Sequence, residues 1–306
     1  MTPRSLRAKV LTPVIYIPLL RQAYVSTELG WRKFLLQAAL CLFVGVGCED
    51  DSQLSAREAA KHAEFLAGLT LKDVSEVRAG LPKAAPLLTA LWADGEPPSR
   101  DPEEVRTALE RARRKVQDLR IAKSTFFALA EPSGLIVRND QPQDLMAGED
   151  LFASFPNAKL ALNGKPVETR GAMHEARGVE GKPDAQWLAV QPISKNGKVL
   201  GLYVSGWSWA LYARRLEEAL KRELYGKPGK RPLTYVFLLV DGKAFGSPIS
   251  PMVNAAAIEG LEGGHAKSMA AFKTTLTITG RGFGVAAHPA PALGDNVFVA
   301  VLRSET

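Results

Sequence analysis

Four side chains have the chemistry to hold a small molecule, and all four fall on or beside short β-rich runs in one block of the chain: Arg138, Arg170, Trp187 and Tyr203. A guanidinium presents a planar fork that grips a carboxylate through two parallel hydrogen bonds. Indole and phenol rings wall a cavity or face an amine. Taken singly, each also has an ordinary reading, arginine at the surface and aromatic ring in the core.

Other reactive residue types are dispersed. His62, His174, His265 and His288 show no ligand spacing, so no metal is expected. The chain has no G-x-S-x-G elbow, no phosphate-loop lysine and no H-E-x-x-H pattern. "GRGFG", Gly280 to Gly284, is followed by the strand-like "VAAHPA" rather than the helix a dinucleotide loop needs, and it reads as a bulge or a close strand contact. No catalytic residue and no cofactor are expected; an enzyme without a recognisable motif stays an alternative.

Positioning those four residues falls to a run of short strands. From Thr125 the chain alternates β-rich segments with turn residues, in "TFFALAEPSGLIVRN", "WLAVQPI" and "KVLGLYVSGW". Asn196-Gly197 is the dipeptide favoured by a type I′ hairpin, whose two central residues need positive φ. The same grammar returns after Leu233. Leu188 to Ser208 and Val285 to Glu305 place Ala, Pro, Gly and Val at matching offsets, and each is preceded by a strand, turn, strand unit, which predicts a structural duplication. Between the blocks, Tyr212, Leu216, Leu220 and Leu224 recur every four residues, with Glu217/Lys221 and Glu218/Arg222 as supporting pairs. This is a connecting helix, with Trp207 and Trp209 packed between it and the sheet, and "YGKPGKRP" after it is a domain boundary.

Ahead of Thr125 the pattern is helical. Ser55 and Glu58 have capping-box spacing before a helix to about Leu69, with shorter pieces over 71–78 and 84–92 separated at Gly80. Asp101 and Pro102 begin another helix, whose stripe of Val105, Leu109, Ala112, Val116 and Leu119 is apolar and whose arginine cluster reads as a solvated face.

Composition narrows the class. The 306 residues are 46% hydrophobic and 23% charged, which is globular. Arg4, Arg7, Lys9, Arg21, Arg32 and Lys33 face only Glu28, so the leader holds five of the seven net positive charges and the body two. A body so nearly balanced has no footprint for a nucleic acid. Both cysteines, Cys41 and Cys48, lie in or at the end of the leader. The apolar run Phe34 to Gly47 has 14 residues, shorter than the roughly 20 of a spanning helix and within the range of a signal-peptide core.

"VGVGC" followed by "EDDS" resembles a bacterial lipoprotein signal, with Gly45 standing where that pattern ordinarily has a large aliphatic residue. The resemblance implies lipidation at Cys48 and export. An uncleaved anchor, or a buried helix with an incidental cysteine, is the alternative, and the length of the leader suggests translation beginning near Val25.

"FFALAEPSGLIVRND", "GEDLFASFPNAKLALNGK" and "LAVQPISKNGKVLGLYVSGWS", with the helix that follows, resemble the double-Cache family of bacterial extracytoplasmic sensors, relatives of the PAS fold. The second block, 233–303, is similar more loosely and lacks a clear "AL-x-G" segment. What the resemblance implies is an α+β chain of two tandem PAS-like modules behind a helical segment: leader 1–48, helical region 49–123, distal module 124–226, proximal module 232–306. It further implies a carboxylate, amino-acid or amine ligand in the distal module. The Arg-x-Trp-Tyr cluster of the amino-acid-binding subset is absent, since Gly171 follows Arg170. The chain stops at Thr306 without a transmitter, so a membrane signalling or assembly protein is the expected partner. A ligand-free scaffold and a GAF-like regulatory module are the competing readings.

Overall fold

The computed structural model describes residues 51–92, 98–99, 101–175, 183–225, 232–265 and 271–305. Cys48 and the leader lie outside them. A compact unit runs from Glu49 to Thr306.

Among the described residues, ten strands form two separate five-stranded antiparallel sheets. The first comprises β1 (Phe126–Ala130), β2 (Ile136–Asn139), β3 (Val167–Met173), β4 (Asp184–Lys195) and β5 (Lys198–Ser208), in the order β2-β1-β5-β4-β3. The second comprises β6 (Thr234–Val240), β7 (Lys243–Gly246), β8 (Phe272–Ile278), β9 (Arg281–Pro289) and β10 (Val297–Ser304), in the order β7-β6-β10-β9-β8. Adding five to each strand number converts one order into the other. The duplication expected from the sequence is therefore present as topology.

The matched hairpins close differently. Asn196 and Gly197 take φ of 53° and 79° in a two-residue turn, as the dipeptide requires. Between β9 and β10 a 3₁₀ turn at Pro291–Leu293 widens the connection, and the tight positive-φ turns of the second sheet fall at Asp241-Gly242 and Thr279-Gly280.

One long helix, α1 (Asp51–Ala84), runs across both sheets. At 1.5 Å per residue its 34 residues extend about 51 Å. Gly80 does not end it: a Cβ there would stand 2.4 Å from Leu119 Cδ2, so the glycine is a packing notch rather than a stop. Ser55 is not a cap either, because the helix starts before it and its hydroxyl donates to the carbonyls of Arg303 and Ser304 at 2.9 and 3.0 Å. "GRGFG" makes room for this helix, and no bulge is needed. A Cβ on Gly284 would lie 2.0 Å from the Ala56 nitrogen, so α1 rests directly on β9.

After a 3₁₀ turn at Ala85–Leu91 come α2 (Pro102–Lys115) and α3 (Gln117–Ile121). Asp101 caps α2 by accepting from the amides of Glu103 and Glu104, and all five residues of the apolar stripe are buried. The connecting helix, α5 (Trp209–Tyr225), buries Tyr212, Leu216 and Leu220. Its Glu217–Lys221 pair forms at 2.5 Å, whereas Glu218 pairs backwards with Arg214 at 3.1 Å.

Each sheet has two covered faces. The faces toward α1 share one core that takes Phe127, Tyr203, Trp187 and Trp207 from the first sheet and Val236, Leu238, Val299 and Val301 from the second. The first sheet's other face is covered by α4 (Leu151–Ser154) and a 3₁₀ helix over Pro156–Asn163. The second sheet's other face is covered by α6 (Met252–His265).

Candidate functional site

On the first sheet's outer face, strand alternation brings Phe126, Leu188, Val190, Leu202 and Val204 against Met146, Leu151, Phe155 and Ala158, none of them more than 2% exposed. Buried polar side chains interrupt this apolar layer, Asn139 and Gln186 among them. Asn139 sits opposite Ala128, and Gln186 sits opposite Gly171, where a Cβ would meet the Phe155 ring at 2.6 Å.

Both are wholly buried and each has spare hydrogen-bonding capacity. Asn139 Oδ1 accepts from the Gln141 amide at 2.8 Å, which fixes the orientation of its amide and leaves Nδ2 with no partner. Gln186 Nε2 donates to the Met173 carbonyl at 3.2 Å, and its Oε1 has none. An unmade buried hydrogen bond costs about 1–3 kcal/mol. The layer thus holds one free donor on β2 and one free acceptor on β4, with β1 and β5 between them.

Arg138 and Arg170 are both engaged by the protein itself. Arg138 pairs with Asp144 at 3.3 Å and donates to the carbonyls of Gln141 and Pro142, fastening the loop after β2. Asp144 in turn accepts from the amides of Asn139, Met146 and Ala147. Arg170 reaches from the edge strand β3 to the second sheet, pairing with Asp241 at 3.1 Å and donating to the Asp295 carbonyl at 3.2 Å.

Trp187 and Tyr203 face α1, on the side of the sheet opposite Asn139 and Gln186. Trp187 stacks on Trp207 at 4.5 Å, and Trp207 stacks on Tyr212 at 4.4 Å. The Tyr212 hydroxyl donates to Asp73 Oδ2 at 3.0 Å, and Arg215 clasps the same carboxylate at 3.0 and 3.1 Å. Tyr203 stacks on Phe127 at 5.8 Å. Arg113 lies 4.9 Å above that Phe127 ring and pairs with Asp140 at 3.1 Å, so this member of the arginine cluster is pinned rather than solvated.

The electrostatics follow from burial. Desolvation pushes the Tyr203 phenol far above its ordinary value, the nearby Asp140 carboxylate adds to that, and Arg113 opposes it. Burial raises Tyr212 as well, reinforced by Asp73. Glu76 is raised by burial and then by Asp73. Strand register therefore puts all four residues singled out in the sequence on the α1 side of the sheet, with Arg138 and Tyr203 both opposite Leu129 and Arg170 opposite Trp187, and none of them in the outer layer. Asn139 and Gln186 carried only a faint signal: Gln186 takes the apolar beat of Gln186, Leu188 and Val190.

No protein-family model matches the sequence, and no curated protein is similar to it in sequence. Solved structures are similar in fold. A domain of a sensory box/GGDEF family protein from Vibrio parahaemolyticus superposes with a TM-score of 0.57 at 12% identity, over 84% of this chain and 98% of that one. The extracellular domain of the histidine kinase vpHK1S-Z8 gives 0.57 at 10% identity, over 83% and 92%. The ligand-binding domain of the Pseudomonas aeruginosa PAO1 amino-acid chemoreceptor PctB, in complex with L-Arg, gives 0.51 at 15% identity, over 82% and 95%. The fold is that of the Cache and PAS-like sensor domains.

Proposed function

We propose that the chain is an exported sensory module that binds a small molecule in the outer layer of its first sheet and reports through α1 to a membrane partner. The observation that carries this reading is the wholly buried, half-satisfied Gln186 amide, with Asn139 as a second such group three strands away, in a mainly apolar layer. A buried group left unpaired carries a desolvation cost that a bound hydrogen-bonding partner would offset. Asn139 on β2 and Gln186 on β4 have β1 and β5 between them, roughly 14 Å at about 4.8 Å per strand, so a small ligand engages one of them, and the N–H of an amino acid, amine or small amide suits the free Gln186 Oε1.

The likeness to sensor ectodomains supports the same reading, as does the leader ending at Cys48, which would tether the module to the outer face of a membrane. Among the described residues no helix is long and apolar enough to cross a membrane. Nothing in the site's chemistry calls for bond making.

The test is thermal unfolding of the full chain against a panel of amino acids, carboxylates and amines, since a ligand of the native state alone raises Tm. Gln186→Leu should fold as well as the parent and lose the response. A flat panel, or an undiminished response in Gln186→Leu, refutes the assignment. The close packing of the layer favours a second reading, a ligand-free scaffold, which predicts the flat panel together with capture of a protein partner.

A further inference from the structure

A second site lies away from that layer, where the end of the connecting helix meets the start of the second sheet. A cavity of about 360 Å³ opens between α5, β6 and the segment before α6. Leu224, Leu233, Tyr235 and Ile249 wall it, and its polar lining includes Glu217, Lys221 and Ser250. The size falls within the range of small-molecule pockets.

Glu217 is the informative residue. It is only 4% exposed, and its two oxygens are used unequally. Oε1 accepts from Lys221 Nζ at 2.5 Å, while Oε2 is buried with no hydrogen-bond partner. Ser250 Oγ, on the opposite lining segment, is also buried and unpartnered. The last turn of α5, at Leu224 and Tyr225, adds the negative end of the helix dipole to the same cavity. A free carboxylate oxygen, a free hydroxyl and helix carbonyls among aromatic and aliphatic walls together favour a donor that is positively charged and carries an apolar body.

We propose that this junction cavity binds a small primary ammonium compound, its N–H groups on Glu217 Oε2 and Ser250 Oγ and its apolar part against Leu224, Leu233 and Tyr235. Lys221 holds the other Glu217 oxygen from the mouth, with its side chain 41% exposed. It competes electrostatically with the incoming cation. A ligand seated here bridges α5 to β6, and so joins the two modules at a point separate from α1.

The experiment titrates the full chain with benzylamine, and in parallel with benzoate and benzamide, by calorimetry or ligand-observed NMR. Benzylamine should bind, benzoate should not, and benzamide should bind more weakly than the amine. Glu217→Gln should weaken benzylamine by at least about tenfold, the loss of a charge-assisted hydrogen bond. Lys221→Met should tighten it, because the competing cation is gone. Leu233→Trp, which fills the cavity from a half-exposed position, should abolish binding without disturbing the core. No binding of benzylamine, equal binding of benzoate, or a Glu217→Gln variant that binds like the parent overturns the proposal. A ligand of the first sheet's outer layer should still stabilise Glu217→Gln, which separates this site from the other.

Discussion

The Tyr212 hydroxyl and the Asp73 carboxylate meet at 3.0 Å across the boundary between α5 and α1, at the end of a three-ring stack that begins on Trp187. This contact ties the first sheet, the connecting helix and the long helix into one buried unit, with Arg215 closing it from the solvent side. Tyr203 is its counterpart in the same layer, equally buried, but its hydroxyl finds no partner.

Deleting the same atom from these two tyrosines should therefore have unlike effects. Tyr212→Phe should lower unfolding free energy by about 1 kcal/mol, the net worth of a typical hydrogen bond. Tyr203→Phe should be neutral or slightly stabilising, because it removes an orphan. Asp73→Ala, which strands both Tyr212 and Arg215, should cost about 3 kcal/mol. Urea denaturation of the four proteins checks the order; equal losses in the two phenylalanine variants would contradict it.

The same phenols set an alkaline limit. Both are raised above the ordinary tyrosine value of 10.0 in the folded chain, so the folded state holds their protons more tightly than the unfolded state does. Their stabilising contribution is complete below that ordinary value and disappears as pH climbs through it toward the folded-state values. Stability should fall by up to about 1.4 kcal/mol per pH unit for each phenol in that range. Ultraviolet absorbance should show both ionising only as the chain unfolds, and each phenylalanine variant should flatten the slope.

Two glycines near α1 make a contrasting pair. Gly284→Ala places a methyl group 2.0 Å from the Ala56 backbone nitrogen and should destabilise by roughly 2 kcal/mol or more, since backbone must move. Gly68 sits within α1 with nothing within 4 Å of an added Cβ. Gly68→Ala should stabilise by about 0.5–1 kcal/mol through helix propensity. Thermal melts of both variants decide the matter, and a tolerated Gly284→Ala would remove the close approach of α1 to β9.

The proposed export would leave a chemical signature. Expression of the full chain in a bacterium that processes lipoproteins should yield a mature N-terminus at Cys48 carrying a diacylglycerol, and Cys48→Ser should abolish membrane fractionation. Mass spectrometry of the N-terminal peptide reads both, and a mature terminus upstream of Cys48 would exclude the cleavage.

Local rules made several elements legible in advance. Asn196-Gly197 specifies its own turn, Asp101 and Pro102 specify a helix start, and the four-residue step from Tyr212 to Leu224 specifies a helix with one buried face. Where the reading of the sequence departed from the structure, a distant segment supplied the decisive force. Gly80 stays helical because Leu119 fills the space beside it, and Ser55 spends its hydroxyl on the carbonyls of Arg303 and Ser304. Arg138 and Arg170 have carboxylate partners in Asp144 and Asp241, one of them on the other sheet, and no local spacing reveals that. Strand alternation separates Trp187 and Tyr203 from Gln186, but which face carries which layer depends on the helices that cover it.

Helix α1 is fastened near one end, at Ser55, to the final strand, and near the other, at Arg78, to Glu168 on β3 and to the Ala292 carbonyl. A beam clamped at two such supports resists bending between them. The Ser55 end is held again at Ser52, whose hydroxyl donates to Glu305, so a tilt of one sheet against the other loads both fastenings at once and the two sheets should move as a unit.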